Sequence, residues 1–349
     1  MTTGLPTFGN PYRITDSGLA VQPGTSPSAA FYYNPNTNEN GIFLFYTGAD
    51  DGSIWYTYTS DGQAWDPVVQ IVPNGQNPLS VNPTASPGTA IVFMYQFNAG
   101  RLILFYTGPE QPPWLWLTTT IGPGGTGFTD PASIQNKSVS LMPGTSASTV
   151  VFNCNLFSFY NGSGNNGLWY TQTNGPADNF QSWTDASLAG SPGSALDIAV
   201  NTSPAAVVFN NVLYLFYAVA STTSANGTQA NDIWLTSYDG INWTTPAAVT
   251  VGGEPVSTAI APPATSPSVF ALGATLYLFT SSATGTQVTI SQDAGQTWQS
   301  AGSVPNQAYL PGTGACAATL SGTPYLFWVS PNSTSTGNGS LSVCSWTPG

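Results

Sequence analysis

The chain has 349 residues and a net charge of −12, because Arg13, Arg101 and Lys137 are its only basic residues. Nucleic acids and anionic membranes both need Lys and Arg side chains beside their phosphates, so we expect neither nucleic-acid binding nor membrane insertion. The chain contains no histidine, which removes Ser–His–Asp triads and His-ligated metal sites. We therefore expect no metal and no cofactor.

The N-terminal residues and the cysteines indicate the compartment. The segment from Met1 to Pro6 lacks the basic start and the apolar run of a signal peptide. We therefore expect a cytoplasmic protein, or one that is released without a signal peptide. Three cysteines, Cys154, Cys316 and Cys344, show no metal-ligand spacing. They suit small buried positions, with a disulfide between Cys316 and Cys344 as the open alternative.

Taken in chain order, the sequence consists of one short segment followed by six repeats. The segment from Phe8 to Ile14 runs from an aromatic to a branched residue, with a proline at the fourth place. A Ser-Pro pair or a related pair then opens each repeat, at intervals of about 50–60 residues, which is enough for four short strands. The opening residues are Ser26, Ser86, Ser146, Ser203, Ser266 and Gly314. The repeats cover residues 24–72, 84–135, 144–190, 201–250, 264–305 and 312–349.

Each repeat predicts the same four strands. The first carries small and branched residues, and the second carries an apolar and aromatic run such as Leu44-Phe45-Tyr46. The fourth starts on an aromatic residue and ends on a branched one, as from Trp65 to Ile71. The third carries a tryptophan in the first four repeats, replaced by other residues in the last two: Trp55, Trp116, Trp169, Trp234, Thr289 and Ser342.

A four-strand unit repeated six times predicts an all-β fold, a six-bladed β-propeller with four antiparallel strands per blade. We expect residues 1–349 to form this single domain. The last repeat lacks a fourth strand, whereas residues 1–15 contain a spare copy of one. The N-terminal strand should therefore join the last blade and close the ring, which removes two exposed sheet edges.

Three turns resemble the Asp-box, or BNR repeat, of sialidases and other propellers. The full pattern is Ser291-x-Asp293-x-Gly295-x-x-Trp298, and one-residue-shorter versions end at Trp65 and Trp243. In those families the turns lie away from the functional face, so the resemblance implies a structural role. The family would also imply three arginines that grip the substrate carboxylate. Because the chain has only Arg13 and Arg101, we expect that it is not a sialidase.

Candidate sugar-binding residues lie where the second strand leads into the third. A carbohydrate site combines an aromatic ring, which contacts the C–H face of the sugar, with polar groups that bind its hydroxyls. The first four repeats offer such residues: Tyr46, Asp50, Asp51 and Trp55; Tyr106, Glu110 and Trp114; Tyr160, Asn161, Asn165, Asn166 and Trp169; and Tyr217, Asp232 and Trp234. The alternative is that the third-strand tryptophans fill the core between blades.

These features favour a multivalent lectin for neutral glycans without catalysis, because near-equivalent blades give avidity and basic groups for anionic glycans are scarce. The composition also resembles that of the propeller lectins of fungi and bacteria. One alternative is a glycoside hydrolase or lyase, which needs two facing carboxylates, with Asp197, Glu254 and Asp16 as candidates. The other is a scaffold for protein partners. The oligomeric state stays open, a dimer included.

Overall fold

The computed structural model describes residues 4–16, 18–34, 38–75, 77–94, 99–120, 127–134, 139–164, 167–175, 182–190, 196–220, 231–258, 265–282, 285–332 and 338–349, with the backbone alone at 89–94, 99 and 100. Six antiparallel sheets form blades around a ring, which confirms the predicted six-bladed β-propeller. The described residues contain one 3-10 turn, at Pro73–Gly75. None of the described residues belongs to a helix long and apolar enough to cross a membrane.

Five blades consist of four consecutive strands each, numbered here from first to fourth. Blade 1 contains Ser28–Asn34, Glu39–Thr47, Ile54–Thr59 and Val69–Gln70. Blade 2 contains Gly88–Met94, Ala99–Thr107, Leu115–Thr119 and Ala132–Ser133. Blade 3 contains Ser148–Phe152, Asn155–Asn161, Leu168–Gln172 and Ser187–Leu188. Blade 4 contains Ala205–Phe209, Val212–Ala218, Ile233–Tyr238 and Ala247–Ala248, and a hairpin of Thr250–Val251 with Glu254–Pro255 follows it. Blade 5 contains Ser268–Leu272, Thr275–Ser282, Gly285–Ser291 and Gln299–Ser303.

Blade 6 combines the two ends of the chain. Its first three strands are Ala315–Leu320, Thr323–Pro331 and Gly339–Thr347, and its outer edge is formed by Thr7–Phe8 and Tyr12–Arg13. Phe8 pairs with Trp346, and Tyr12 pairs with Val343, in antiparallel register. The predicted ring closure by the N-terminal strand is therefore confirmed.

A chain of serine hydrogen bonds links the blades around the central channel. The residues are those that open the repeats, which explains their spacing in the sequence. The backbone N–H of each serine donates to the hydroxyl oxygen of the next, at 2.8 Å, in the order Ser26, Ser86, Ser146, Ser203 and Ser266. The N–H of Gly314 in blade 6 donates to the Ser26 hydroxyl oxygen at 2.6 Å. These bonds give partners to backbone donors that would otherwise face the narrow channel.

At five of the blade interfaces, the outer part is held together by the same kind of aromatic contact. The aromatic residue that opens the fourth strand of one blade meets, edge to face, a phenylalanine on the second strand of the preceding blade. The pairs are Trp65–Phe327, Phe128–Phe45, Trp183–Phe105, Trp243–Phe159 and Trp298–Phe216, with ring centroids 5.7–6.4 Å apart. Between blades 5 and 6, the third-strand Trp346 contacts Phe279 at 6.0 Å, and Phe8 packs behind it.

The antiparallel strands divide the connections between two faces. The lower face carries the turns between first and second strands and the connections from third to fourth strands, for example residues 60–68. The upper face carries the loops from second to third strands, for example residues 108–114, and the connections between blades. Isolated bridges such as Ser53 to Ser80 and Trp114 to Ser140 tie the upper loops of blades 1 to 4 to the connections that follow them.

The lower-face aspartates accept hydrogen bonds from the turns that they occupy. The N–H groups of Gln63 and Ala64 donate to Asp61 Oδ1, both at 2.8 Å. Asp239 accepts from the two corresponding amides of its own turn, at 2.7 and 2.8 Å. The residue after Asp61 is Gly62, which has a φ of 76°. Glycine adopts such a positive φ at little energetic cost. These turns hold the entry to the fourth strand, which is a structural role.

Three details of the sequence analysis need correction. Thr280 occupies the position of Tyr46 in blade 5, and it pairs with Gln287, so Gln287 rather than Thr289 takes the place of the third-strand tryptophan. The hairpin of blade 5 is shorter, and this shifts the alignment by two residues. Cys316 and Cys344 pack into different core clusters on opposite sides of blade 6, and both are free thiols, so the alternative of a disulfide between them is wrong. Cys154, for which a buried position was expected, is exposed. Burial raises the pKa of the Cys344 thiol to about 12.

Deletion of residues 1–15 tests the closure of the ring. The deletion exposes the edge of Gly339–Thr347 and removes the Phe8 contact, so we expect a sharply lower melting temperature or aggregation. Circular dichroism melts and light scattering measure both effects, with deletion of residues 1–3 as the control. A shortened protein that is as stable and as monomeric as the full chain would contradict the closure.

The turn aspartates predict acid sensitivity. Hydrogen bonds from the turn amides hold the pKa of Asp61 and Asp239 below the ordinary value. Their stabilising effect is complete above the unfolded pKa of about 3.9, and it is lost as the pH falls through the lower native pKa. We expect the melting temperature to fall from about pH 5 to pH 3, and Asp61→Asn with Asp239→Asn to flatten this dependence. Melting curves across that range check it, and an unchanged slope in the double variant would refute the assignment.

Candidate functional site

The upper half of the interface between blades 1 and 2 contains a pair of aromatic rings. Tyr106 is the last residue but one of the second strand of blade 2, and Trp116 lies opposite it on the third strand. Their rings are stacked, with centroids 6.4 Å apart and planes 15° apart. Tyr106 is buried, whereas Trp116 is partly exposed. The indole is therefore the ring of this pair that a ligand can reach.

The loop between these two strands places a carboxylate at the edge of the indole. Trp116 Nε1 donates to Glu110 Oε2 at 3.3 Å. Gly108 makes room for this contact, since a Cβ at that position would lie 2.5 Å from Trp116 Nε1 and 2.0 Å from Glu110 Oε2. The hydrogen bond occupies one side of one carboxylate oxygen. Further acceptor positions on Glu110 are then available to a ligand, because a carboxylate has about four.

These residues form one wall of a pocket of about 330 Å³. The other wall comes from the connection that leaves blade 1. The residues with polar side chains or aromatic rings in the lining are Asn77, Ser80, Tyr106, Glu110, Trp116 and Asp130. The pocket thus combines a partly exposed indole with two carboxylates, an amide and a hydroxyl.

Blade 1 repeats the pairing of indole and acid, with the carboxylate more heavily bonded. Trp55 Nε1 donates to Asp51 Oδ1 at 3.4 Å. Asp51 also accepts from the N–H and hydroxyl of Ser53, at 3.0 and 2.7 Å, and from Gln70 Nε2 at 2.6 Å. Partial burial opposes ionisation, but these hydrogen bonds outweigh it and lower the pKa of Asp51. The adjacent Asp50 is exposed on the same loop.

Three polar residues of blade 3 were predicted to bind sugar. One of them has a structural role, and the other two lie outside the described residues. Asn161 is fully buried, and its Nδ2 donates to the carbonyl oxygens of Ala199 and Thr202, both at 3.3 Å. Thr47 and Thr107 donate to the corresponding connections in blades 1 and 2. The Asn161 side chain therefore fastens the upper loop to the next connection. Asn165 and Asn166 are the two residues outside the described part of the chain.

The third-strand tryptophans of blades 3 and 4 also lie at interfaces. Trp169 packs on the hydrophobic cluster between blades 2 and 3. Gly162 leaves space for the edge of its indole, because a Cβ at that position would lie 2.6 Å from Trp169 Nε1. Trp234 packs on the cluster between blades 3 and 4. Its Nε1 is buried and has no hydrogen-bond partner within the described residues. Asp232 is buried at 3% exposure and accepts from the Ser257 hydroxyl at 2.5 Å.

The four predicted tyrosines are the least accessible members of the set. Tyr46, Tyr106, Tyr160 and Tyr217 are between 1% and 5% exposed. Burial raises the pKa of each of their hydroxyls. They therefore support the tryptophans from behind. Trp114, which precedes the third strand of blade 2, bridges to the next connection and does not line the pocket.

The acids named for a hydrolase are not brought together. Asp197 lies on the connection from blade 3 to blade 4, and Glu254 lies on the hairpin after blade 4; both are exposed. Asp16 accepts from the N–H groups of Gly18 and Val68, at 2.7 and 3.3 Å. The structure instead places Glu110 and Asp130 in one pocket. No group of three or more potential metal ligands occurs among the described residues.

Sequence reasoning missed Trp116 and Asp130 as site residues. Trp116 was recognisable from the third-strand pattern, but Trp114 stands closer to the loop acid in sequence. Asp130 gave no signal, because it follows the long connection from the third to the fourth strand. Asn77 and Ser80 come from the preceding blade, which sequence spacing does not relate to Glu110.

Comparisons with known proteins show the fold. No protein-family model matches the sequence, and no curated protein matches it. The fucose-specific lectin from Aleuria aurantia is similar over 80% of this chain and 78% of that chain, with a TM-score of 0.55 and 13% identity. The NanB sialidase from Streptococcus pneumoniae is similar over 98% of this chain and 70% of that chain, with a TM-score of 0.51 and 10% identity.

A GH43_1 enzyme from Xanthomonas citri is similar over 75% of this chain and 86% of that chain, with a TM-score of 0.45 and 11% identity. The neighbours thus include a lectin as well as glycoside hydrolases. At these identities the likeness establishes a shared propeller and does not separate binding from catalysis.

Gly108→Ala tests the contact that positions the indole and the acid. The new methyl overlaps both partners, so we expect loss of the hydrogen bond and a destabilisation of about 1–3 kcal/mol. Urea unfolding measures it. Gly4→Ala is the control, because its Cβ meets only ordinary contacts at 3.7 Å. Equal stability of the two variants would show that the Gly108 contact does not constrain the loop.

Proposed function

We propose that the protein is a multivalent lectin that binds neutral glycans and does not act on them. The observation that carries the proposal is the pocket between blades 1 and 2. There a partly exposed Trp116 indole meets the Glu110 carboxylate at 3.3 Å, with Asp130 in the same lining. The C–H face of a sugar ring is apolar enough to contact the indole, and its hydroxyls are donors for the carboxylates.

The size and charge of the pocket support a small neutral ligand. A volume of about 330 Å³ stands at the lower end of the range for ligand pockets and suits a single sugar ring. In the part of the chain that the structure describes, the lining contains no Lys or Arg, and it contains two acidic side chains, Glu110 and Asp130. A sialylated or sulphated glycan would place a further anion beside these carboxylates without a counter-charge, and such like-charge contacts select against it.

The pairing of indole and acid in blade 1 supports more than one site. Trp55 and Asp51 repeat the contact of Trp116 and Glu110 at the interface between blades 6 and 1. Two such sites on one rigid ring would raise the avidity for a surface that displays many glycans. Trp169 and Trp234 stay predicted platforms for the third and fourth sites.

One observation favours a second candidate, a glycoside hydrolase. Glu110 and Asp130 line one pocket, and a glycosidase needs two carboxylates on either side of the scissile bond. In that case one of them protonates the leaving oxygen, and the other attacks the sugar or activates water. The lectin is preferred because Glu110 already serves the indole, which fixes it as an acceptor.

A glycan array followed by calorimetric titration tests the proposal. We expect the wild-type chain to bind neutral glycans, with at least two sugars per chain, and to release no reducing sugar from a polysaccharide panel. Turnover that is lost in Glu110→Gln and in Asp130→Asn, with binding retained, would establish the hydrolase instead. Binding of no glycan would overturn both candidates and leave a scaffold for protein partners.

Two tryptophan substitutions separate a binding role from a packing role. Trp116→Ala and Trp55→Ala should each remove one bound sugar per chain. Because both indoles are partly exposed, each should cost less stability than the about 3–5 kcal/mol of a buried tryptophan. Trp298→Ala, in the core of the blade 4–5 interface, is the matched control and should cost that full amount. Unchanged stoichiometry with a large loss of stability at Trp116 would assign it to the core.

A further inference from the structure

The same blade interface contains a second, larger pocket on its lower half. Its volume is about 780 Å³. Four aromatic side chains of blade 1 form its wall: Tyr32, Phe43, Tyr56 and Tyr58. Phe43 stands 5.8 Å from Tyr32, 5.7 Å from Tyr56 and 4.9 Å from Tyr58, between ring centroids. The pocket lies on the face opposite the Trp116 site and shares no residue with it.

An internal comparison shows which side chains of the next blade face this wall. Blade 3 has the matching rings Phe157 and Tyr170, but blade 4 covers them. Tyr238 stands 6.2 Å from Phe157, and Trp243 stands 6.0 Å from Tyr170. In blade 2 the two covering positions hold smaller residues, Thr120 and Phe128. Thr120 bridges to Phe128 in blade 2, and Tyr238 bridges to Trp243 in blade 4, so the two pairs occupy corresponding positions.

Phe128 contacts Tyr56 at 6.1 Å, much as Trp243 contacts Tyr170, and threonine also holds the first position in blade 3, where Thr173 bridges to Trp183. Among the fourth-strand aromatics that contact a second-strand phenylalanine, Phe128 is the one that is not tryptophan. The pocket therefore lies where the repeat departs from its own pattern. Departures of this kind are expected at functional sites, because natural proteins tend to break a local structural rule where function requires it.

Two carboxylates face this aromatic wall. Glu39 and Asp66 belong to the lining, both exposed to solvent, and the described lining residues include no Lys or Arg. Burial raises the pKa of Tyr58, and the negative charges of Glu39 and Asp66 raise it further. Burial and, to a smaller extent, the negative charge of Asp66 also raise the pKa of Tyr56. The field in the pocket is thus negative, in a chain whose net charge is −12.

The wall also holds a buried polar atom without a partner. Tyr32 is 3% exposed, and its hydroxyl has no hydrogen-bond partner in the described part of the chain. Buried polar atoms are nearly always bonded, so an orphaned one beside a cavity points to a ligand or a water. A phenol oxygen accepts a hydrogen bond from an ammonium or a hydroxyl group.

We propose that this lower pocket binds an organic cation, an ammonium group carried on an apolar skeleton. The aromatic faces attract the cation through their quadrupoles, and Glu39 and Asp66 supply the opposite charge. The large volume accommodates the skeleton against Phe43 and Tyr56. The inference goes beyond glycan binding and does not rest on it, because no lining residue is shared between the two pockets.

Titration calorimetry of the full chain tests the charge of the ligand. Two cations, choline and benzyltrimethylammonium, serve as probes, with 3,3-dimethylbutan-1-ol as the neutral carbon analogue of choline. We expect one cation per chain, with affinity at least tenfold weaker for the neutral analogue and falling with added salt. Equal affinity for choline and the analogue, or no saturable binding of either cation, would overturn the proposal.

Variants of the pocket place the site. Phe128→Trp combined with Thr120→Tyr restores the cover seen in blade 4 and should abolish cation binding without lowering the melting temperature. Asp66→Asn should weaken it about fivefold, because Asp66 is exposed and solvent screens its attraction for a cation. Asp185→Asn removes an equal charge from the same face outside the pocket and should leave it unchanged. Equal losses in the two Asp variants would show a diffuse surface effect and refute the site.

The glycan titration of the same variants separates the two proposals. Glycan binding at Trp116 should persist in Asp66→Asn, and cation binding should persist in Trp116→Ala. If the double variant at 120 and 128 fails to fold, the comparison of Asp66→Asn with Asp185→Asn still decides the location. A cation that Trp116→Ala displaces would place the binding on the upper face and overturn the proposal.

Discussion

The edge-to-face contact between neighbouring blades is the interaction on which the rest of the structure depends. An aromatic side chain at the start of one fourth strand meets a phenylalanine of the preceding blade at 5.7–6.4 Å, with interplanar angles of 83–88°. The positive edge of one ring faces the negative face of the other, in a site that excludes water. The contact sets the spacing of the blades at the outside of the ring, as the serine hydrogen bonds do at the channel.

Because the aromatic contacts and the serine hydrogen bonds hold the blades in place, the grooves between blades are the part of the structure that varies. Above each aromatic contact, a third-strand tryptophan and an upper loop decide whether a groove is open and which polar groups it contains. The interface between blades 1 and 2 has a pocket above the contact, beside Trp116, and another below it, beside Phe43. It is also the interface where phenylalanine replaces tryptophan at the contact.

The polar residues near these grooves fall into two groups with different physical roles. Asn161 and Asp232 are buried and bonded to neighbouring connections, so their hydrogen bonds satisfy groups that folding would otherwise leave without partners. Glu110 and Asp130 line a cavity beside a partly exposed indole, where hydroxyl donors from outside the protein can reach them. Burial distinguishes the two groups, whereas residue type does not.

The sequence by itself determined the six repeats, their four strands and the closure of the ring, because strand periodicity and turn residues act over short distances along the chain. Only the tertiary structure decided which candidates form a site. Trp116 rather than Trp114 lines the upper pocket, and Asp130 joins Glu110 across a long connection. The lower pocket lies at the interface where Phe128 contacts Tyr56 of the neighbouring blade, at a position that holds tryptophan in other blades. Such a site depends on pairs of residues from different blades, and spacing along one chain does not encode their sizes relative to each other.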